Sequence, residues 1–323
     1  MQFRWFKHLL AGSALAFAAV AGAQQQAYPI KPIRILVPIL PGGAPDVAAR
    51  VIGQALSESL KQPVVVENRP GSNGNIAAEA VAKAAPDGYT LLLGADSGIV
   101  INPHIYKMSF NPLTDLAPVT TVAANQFVLT INPNLPVRTF AEFVDYAKKA
   151  NPPLYYASGG NGSQHHLTME LLKQRAGINL VHVPYKSGAA ATTAAVAGEV
   201  PVMFAGSSNA GQIKTGRLRA LAVTSAKRAP EYPDVPAIAE AYPGFESRIW
   251  LGLFAPAGTP PQVLERLREE TQKALRTTTV QQKFNDAGGL EVFVTSPKEF
   301  DELIKRDHAR YGKLARDLAL KLD

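Results

Sequence analysis

The segment IRILVPILPGGAPDVAARVIGQALSESL, residues 33–60, decides the fold of this chain. Its first part, Ile33–Ile39, is a short apolar run that predicts a buried β-strand, and the part that ends near Leu60 reads as a helix. A turn with a glycine pair, Gly42 and Gly43, joins the two elements. The order of strand, glycine turn and helix is typical of an α/β sheet.

The turn between this strand and this helix is compatible with two roles. Gly42 and Gly43 leave backbone N–H groups uncovered at the positive end of the helix, where a carboxylate can bind. The same residues also fit a plain tight turn, in which Asp46 complements the helix dipole and pairs with Arg50. This stretch alone leaves both roles open. It matches neither the dinucleotide-binding glycine motif nor a P-loop, so a nucleotide is not indicated.

Four further loops have a similar composition. Each follows a predicted strand and contains glycine with polar residues: Gly94–Gly98, Ser158–Ser163, Val183–Gly188 and Phe204–Ser208. Ligands of doubly wound sheets bind outside the carboxyl ends of the strands, so the five loops together predict one binding region. The strongest single signal is Ser158–Ser163, because its three glycines and two serines offer hydrogen-bond donors without bulk. In the next loop Ser187 is the predicted helix N-cap.

The alternation of β-rich runs with helical patterns predicts an α/β protein with mostly parallel sheets. Three capping boxes predict helix starts at Thr139, Thr259 and Ser296. About 300 mature residues exceed one usual core, so we expect two lobes. Pro118–Pro133 and Trp250–Pro256 read as two extended crossovers between them. We therefore predict one lobe from residues 28–124 plus 251–323 and a second lobe from residues 125–250.

The first 23 residues read as a signal peptide. Arg4 and Lys7 form a short positive region, and the apolar run Leu9–Ala23 ends in the cleavage signature Ala21-Gly22-Ala23. This run is too short to span a bilayer. The sequence therefore predicts export to the periplasm, with no membrane insertion of the mature chain.

Composition excludes several classes of function. The chain has no cysteine, which excludes thiolate chemistry, cysteine-ligated zinc and iron–sulfur clusters. Its formal net charge of +7 is spread along the sequence, without the basic stripe and interleaved aromatics that nucleic-acid binding requires. We therefore expect neither a cofactor nor a nucleic-acid partner.

An enzyme is the main competing class. Ser163, His165 and His166 with Asp96 are candidates for hydrolytic chemistry, but the sequence has no G-x-S-x-G elbow. The nearest match, residues 206–210, fails at its last position, Ala210. Adjacent histidines on a helix point about 100° apart, and no H-E-x-x-H motif accompanies them, so no metal site is predicted. We expect a pair at the helix start with one histidine turned inward.

The chain resembles the Bug family, the periplasmic solute-binding receptors of tripartite tricarboxylate transporters. The likeness runs through nearly the whole mature chain. Its matching residues in the first half are Tyr28-Pro29, Lys31–Arg34, Val37-Pro38, Pro41–Gly43, Asp46, Ala49-Arg50, Val64–Gly71, Pro86–Thr90 and Asn102-Pro103. Those in the second half are Ser158, Gly160, Gly162-Ser163, His166-Leu167, His182–Lys186, Leu221–Ser225, Pro233–Pro236, Trp250 and Ala255–Pro260.

The resemblance implies a two-lobed periplasmic-binding-protein fold, similar to type II, with the ligand cleft between lobes joined by two crossover strands. It also implies a carboxylate ligand held largely by backbone amides, and delivery of that ligand to an inner-membrane permease. The ligand-binding residues carried over by position are Pro41, Gly42, Gly43, Ala44, Asp46, Ser97, Ser158, Gly159, Asn161, Gly162, Ser163, His166, Tyr185, Ala205 and Ser207.

Departures from the family pattern bear on the ligand. Relatives that bind amino acids have an aspartate after the phenylalanine of the strand before the fifth loop, whereas here Ala205 follows Phe204. This change removes the partner of an α-ammonium group and favours a di- or tricarboxylate, or an aromatic carboxylate. Leu40 stands where relatives often have proline, Ala44-Pro45 replaces more polar residues, and Ile99 stands where some relatives have histidine. Together these changes make the predicted pocket less polar.

The sequence therefore predicts a receptor and not an enzyme. A ligand carboxylate would meet the Gly42 and Gly43 amides on one lobe and Ser158–Ser163 on the other, and hinge closure would complete both sets of contacts. We expect a monomer, because one closing cleft requires no second chain. A sensor that signals to a membrane kinase, and an enzyme that acts on a carboxylate in the same cleft, remain the alternatives.

Overall fold

A computed structural model describes residues 28–206, 209–286 and 290–322 of this chain. The predicted signal peptide and Ser207 lie outside these residues. The strands are β1 Ile33–Val37, β2 Val64–Asn68, β3 Thr90–Ala95, β4 Leu116–Gln126, β5 Val128–Ile131, β6 Leu154–Ser158, β7 Leu180–Pro184, β8 Val202–Ala205, β9 Arg219–Val223, β10 Arg248–Pro256 and β11 Glu291–Val292.

Helices connect most of these strands. They are α1 Ala44–Leu60, α2 Asn75–Ala82, α3 Asn102–Ile105, α4 Pro112–Asp115, α5 Phe140–Lys149, α6 Gln164–Ala176, α7 Gly188–Ala197, α8 Ala210–Lys214, α9 Ile238–Ala241, α10 Pro261–Leu275, α11 Thr278–Asp286 and α12 Pro297–Asp317. A 3₁₀ turn, Ser72–Gly74, precedes α2, and a π-helical turn, Ser97–Ile101, follows β3.

The chain folds into two sheets, each the centre of one lobe. The first sheet has six strands in the order β11-β4-β10-β3-β1-β2, and the second has five in the order β7-β6-β8-β5-β9. β1 is apolar at four of its five positions and has only Arg34 exposed, because helices cover both faces of the first sheet at this strand. The first sheet draws its strands from residues 33–126 and 248–292, and the second from residues 128–223.

The prediction of mostly parallel sheets was wrong. β1 pairs in parallel with β2 and β3, and β6 pairs in parallel with β7 and β8. β10 is antiparallel to both β3 and β4, and β5 is antiparallel to both β8 and β9. The sheets are mixed because β4 leads the chain out of the first sheet and β10 brings it back, so these two neighbours must run in opposite directions.

The two predicted extended crossovers are confirmed. β4 passes directly into β5 at Phe127, and β10 begins at Arg248 beside Gln126, where the return path starts. We propose that the lobe boundaries predicted at residues 124/125 and 250/251 lie in this pair of strands.

Two of the three predicted capping boxes are confirmed. Thr139 and Ser296 each accept a hydrogen bond from the backbone N–H three residues on, and the glutamate at that position bonds back. The prediction at Thr259 was wrong, because α10 begins at Pro261 with Pro260 as its N-cap. The Thr259 hydroxyl instead donates to the Pro256 carbonyl at 2.7 Å. Among the described residues, no helix has the length and apolar character needed to cross a membrane.

Candidate functional site

The predicted ligand loops lie at the carboxyl ends of strands in both sheets. In the first sheet they follow β1 and β3, which are parallel neighbours. In the second sheet they follow β6, β7 and β8, which are also parallel neighbours. Three helices, α1, α6 and α7, begin directly after such loops, and the first N–H groups of a helix have no acceptor within the helix.

Asp46 organises the loop between β1 and α1. Its side chain is 3% exposed and accepts hydrogen bonds from the Gly42 N–H at 2.9 Å and from Asn68 Nδ2 at 2.8 Å. Arg50 approaches both carboxylate oxygens, with Nε at 3.1 Å from Oδ2 and Nη2 at 2.9 Å from Oδ1. Burial alone would raise the pKa of Asp46, but these hydrogen bonds outweigh burial and lower it. Asp46 is therefore an ionised anchor of its own loop.

The role of Gly42 differs from the prediction. Its amide, expected to meet a ligand, already donates to Asp46, and its φ of 92° places it in the left-handed region that suits glycine. The predicted pairing of Asp46 with Arg50 is confirmed, and carboxylate binding at this turn stays a prediction. Gly43 is the N-cap of α1 and brings no side-chain cap to the helix. The N-terminal amides of α1 are the remaining donors here.

A cavity of 120 Å³ lies at the carboxyl ends of β1, β2 and β3. Ser97 and Gly98 line it from the β3 side, and Ile39 and Pro45 line it from the β1 side. The loop after β2 also lines it, through the segment that includes Asn73 and Gly74. Sequence reasoning did not assign this third loop, although Gly71 and Gly74 after a strand gave the same signal as the other glycine loops.

Asn102 fixes the loop after β2. Its fully buried amide donates to the Asn73 carbonyl at 3.0 Å and to Asn75 Oδ1 at 2.6 Å, and its own oxygen accepts from Asn73 Nδ2 at 2.8 Å. These contacts hold Asn73, which has a φ of 50°, in a left-handed conformation that asparagine tolerates. The wall of the cavity is therefore preorganised.

The loop Ser158–Ser163 is held mainly by bonds within the second lobe. Ser158 is fully buried, and its hydroxyl accepts from the Gly160 N–H at 3.0 Å and lies 2.6 Å from His182 Nε2. The Gly162 N–H donates to His166 Nδ1 at 3.1 Å. Ser163 is the N-cap of α6 and accepts from the His166 N–H at 3.4 Å. The hydrogen bonds of Ser158, Ser163 and His166 thus fix the conformation of the loop.

His166 is the inward-facing histidine of the pair, and it stacks on His182. The two ring centroids lie 3.9 Å apart with an interplanar angle of 5°, and the Tyr156 ring lies 4.9 Å from that of His182 and 6.5 Å from that of His166. Burial, with the neighbouring His166 and Lys173, lowers the pKa of His182 from 6.5 to about 3. Burial also lowers the pKa of His166. Both rings are therefore neutral at pH 7, and His166 can accept the bond from Gly162.

We predict that this histidine stack makes the protein less stable in mild acid. The unfolded chain binds a proton on each histidine near pH 6.5, whereas the folded stack excludes it. The free energy of unfolding should therefore be highest above that pH and fall as pH decreases towards about 3. At about pH 5 the full shift of His182 would correspond to about 2 kcal/mol, and solvent screening of this partly exposed ring makes its contribution smaller than that.

Urea unfolding at about pH 7.5 and about pH 5 measures this effect. The His182→Gln variant keeps a hydrogen-bonding group beside Ser158 but cannot titrate, so its stability should fall less than that of the wild type between the two pH values. Equal losses in both proteins would show that the stack does not cause the acid sensitivity.

His165, not His166, faces the other loops of this lobe. Its ring lies 4.7 Å from that of Phe127 at the crossover, and a Cβ atom on Gly188 at the start of α7 would lie 3.5 Å from its Cε1. Burial lowers the pKa of His165 to about 4, so it offers a neutral ring. Sequence reasoning named the pair but assigned ligand binding to His166. The 100° turn between neighbouring helix positions separates their roles.

The remaining predicted residues of the second lobe have unequal accessibility. Gly159 is close to the start of α7, since a Cβ atom on it would lie 3.1 Å from the Gly188 nitrogen. The Tyr185 N–H donates to the Ser158 carbonyl at 3.0 Å, so these loops are adjacent. Asn161 is exposed, whereas Ala205 is fully buried in an apolar cluster with Ala157 and offers only its backbone.

Comparison with known proteins gives a consistent result. The family model for the tripartite tricarboxylate transporter family receptor matches residues 48–320. Protein BugT of Bordetella pertussis is 36% identical over 323 residues, which cover 96% of this chain and 97% of that protein.

Solved structures of the same type are also similar. Rpa4515 of R. palustris with adipate has a TM-score of 0.81 and 33% identity, and the match covers 91% of this chain and 99% of that one. MatC of Rhodopseudomonas palustris with bound malate has a TM-score of 0.76 and 29% identity, with 89% and 99% of the two chains covered.

Proposed function

Because this chain belongs to the tripartite tricarboxylate transporter receptor family, we propose that it is a periplasmic receptor that binds a small dicarboxylate, tricarboxylate or aromatic carboxylate. Hinge closure between the lobes would enclose the ligand, and an inner-membrane permease would receive it. The mature chain would act as a free monomer in the periplasm, and it would bind its ligand without chemical change.

The observation that carries this proposal is the set of helix N-termini that follow the loops. α1 supports the site from the first lobe, and α6 and α7 support it from the second. Such N-termini favour anions through their free N–H groups and through the helix dipole. The carboxylate of Asp46, at the start of α1, already accepts hydrogen bonds from Arg50, Asn68 and Gly42. A carboxylate ligand would therefore meet donors rather than a competing negative charge.

The residues that we propose for direct contact differ somewhat from those predicted. Ser97 and Gly43 would act from the first lobe, and Gly159, Asn161 and Tyr185 from the second. We add His165 as a neutral donor that would point between α6 and α7 at the ligand. Ser158, Ser163 and His166 would act indirectly by holding the loop.

The apolar end of β8 supports a ligand without an α-ammonium group. Ala205 is fully buried and has no charge to pair with an ammonium, and Phe204 beside it is also fully buried. Adipate and malate, the ligands of the two similar structures, both carry two carboxylates. A dicarboxylate is thus the first class to test.

We predict that dicarboxylates raise the melting temperature of the mature protein in a saturable manner. A ligand that binds only the folded state adds about 2.7 kcal/mol to stability at a concentration of 100 times its Kd, which corresponds to several degrees. The measurement is a thermal-shift titration of protein refolded to remove bound solute, with adipate, malate, citrate, benzoate and glutamate.

Controls separate binding from other effects. Adipamide has the length of adipate without its charges and should cause no shift, and glutamate should act more weakly than malate. The His165→Ala variant should bind the effective carboxylate about tenfold more weakly, a loss of about 1.4 kcal/mol. If no carboxylate shifts the melting temperature, or if the added compound is consumed, the receptor proposal is wrong.

A further inference from the structure

A buried chain of polar side chains connects the two lobes beside the crossover strands. Gln164 is the first residue of α6, and its amide nitrogen donates a hydrogen bond to Asp96 Oδ2 at the end of β3. The oxygen of the same amide accepts from the Tyr311 hydroxyl of α12 at 3.1 Å. Asp96, Gln164 and Tyr311 are 0%, 6% and 2% exposed. Both polar ends of Gln164 therefore bond to the first lobe.

The chain continues to the return crossover. Arg310 donates through Nη2 to the Tyr311 hydroxyl at 2.8 Å and through Nη1 to the Glu246 carbonyl at 2.6 Å. Glu246 lies two residues before β10, where the chain leaves the second lobe. The polar contacts thus extend from the ligand side of β3 to the hinge.

Apolar contacts hold the start of α6 in the same place. Leu167 is fully buried in a cluster with Val100 and Tyr311 of the first lobe and with Trp250 of the return crossover. A Cβ atom on Gly162 would lie 2.4 Å from Ile105 Cδ1 and 3.0 Å from Leu322 Cδ1, so the loop before α6 also contacts the first lobe. Although α6 belongs to the second lobe, its first turn and the loop before it pack against the first lobe.

Asp96 joins this contact to the ligand loop of the first lobe. Its Oδ1 accepts from the Ser97 N–H at 2.8 Å, while its Oδ2 accepts from Gln164. Burial, and then repulsion from Asp307, raise the pKa of Asp96 well above the usual range of a carboxyl. A carboxyl buried at this cost needs complementary donors on both oxygens, and those donors come from different lobes.

We propose that Asp96 and Gln164 are positioning residues that hold the Ser97 loop and the Ser158–Ser163 loop in register across the hinge. The Asp96–Gln164 link sets the distance between donors on the two lobes, so that one carboxylate ligand reaches both. This inference rests on the proposed function for its effect on affinity. Its effect on the lobes can be measured without any ligand.

The test uses one substitution that breaks the link and one exchange that restores it. Gln164→Leu removes both polar ends of the side chain at similar size. The double variant Asp96→Asn with Gln164→Glu exchanges amide and carboxyl. Position 96 still accepts from Ser97 and position 164 still accepts from Tyr311, while the bond between the two positions is kept with its direction reversed, from the amide at position 96 to the carboxyl at position 164. Gln272→Leu is the matched control, because Gln272 donates to Thr120 and Thr295 within the first lobe alone.

Two measurements are made on each variant. The first is the dissociation constant for adipate by calorimetry. The second is the distribution of distances between spin labels on Lys83→Cys and Lys149→Cys in ligand-free protein, which is feasible because the chain has no cysteine. Lys83 lies after α2 in the first lobe, and Lys149 ends α5 in the second.

We expect Gln164→Leu to weaken adipate binding about tenfold, or about 1.4 kcal/mol, and to broaden the distance distribution. The exchanged pair and Gln272→Leu should both bind adipate within about threefold of the wild-type affinity, or about 0.7 kcal/mol. Both should also show the same distance distribution as the wild type. An unchanged distribution in Gln164→Leu, a failure of the exchanged pair to restore it, or an equal loss in Gln272→Leu would each overturn the inference. If the wild-type protein does not bind adipate, the proposal of adipate as a ligand is wrong. The label distances in ligand-free protein still test whether the Asp96–Gln164 contact holds the lobes.

Discussion

Replacing Asp46 with alanine will weaken dicarboxylate binding by about 10- to 100-fold, which is about 1.4 to 2.8 kcal/mol. The reason is that the Asp46 carboxylate holds the Gly42 amide, Asn68 and Arg50 together at the start of α1. Without it, the loop Leu40–Pro45 loses its anchor, and the predicted loss corresponds to about two residues that must be ordered again on binding, at about 1 kcal/mol or more each. Calorimetric titration with adipate measures the change.

The same variant should also lose about 1 to 3 kcal/mol of unfolding free energy, because the buried donors lose their acceptor. Glu67→Ala is the matched control. Glu67 pairs with Arg34 at 2.6 Å, but both side chains are partly exposed, so this pair contributes up to about 1 kcal/mol and should not affect affinity. An Asp46→Ala protein that binds adipate as tightly as Glu67→Ala would show that this loop does not form the site.

Replacing Trp250 with alanine should lower the free energy of unfolding by about 3 to 5 kcal/mol. Trp250 is 1% exposed and lies at the start of the return crossover, where its ring meets Phe300 edge to face at 5.4 Å. Its indole N–H also donates to Asp307 Oδ2 at 3.0 Å, and Asp307 is itself buried. The substitution therefore creates a cavity and removes a donor from a buried carboxylate.

Urea unfolding of three variants separates these two effects. Trp250→Phe keeps most of the ring but not the N–H, and it should cost about 1 to 3 kcal/mol. Tyr155→Ala is the control, because Tyr155 is 49% exposed and its loss should cost about 0.5 kcal/mol or less. If Trp250→Ala loses no more than Tyr155→Ala, the crossover is not stabilised by this side chain.

The sequence alone was sufficient for the family, the fold class and most local elements. The strand predicted at Ile33–Ile39 is found as β1, Ile33–Val37, and the predicted N-cap Ser187 caps α7 by accepting from the Ala190 N–H at 3.2 Å. These features depend on residues near each other in sequence, such as an apolar run, a glycine after a strand, or a hydroxyl three residues before its N–H partner. Because such features depend only on neighbouring residues, the sequence is enough to predict them.

The candidate site was predictable only as a set of loops. The sequence placed ligand loops after five strands, β1, β3, β6, β7 and β8, and each of these strands has a parallel neighbour among the other four. It could not show which amides are free. Gly42 was expected to meet the ligand, but its amide bonds to Asp46, a contact that depends on the exact path of the turn.

Tertiary structure alone decided the contacts between distant residues. Gln164 meets Asp96 across 68 positions, and Tyr311 meets Gln164 across 147. No pattern of period 2 or 3.6 encodes such a pair, because its geometry depends on how α6 and α12 pack beside β10. The sequence therefore determined what each segment becomes and what chemistry its loops carry. Packing determined which polar groups bond to each other within the protein, and hence which are left for a ligand.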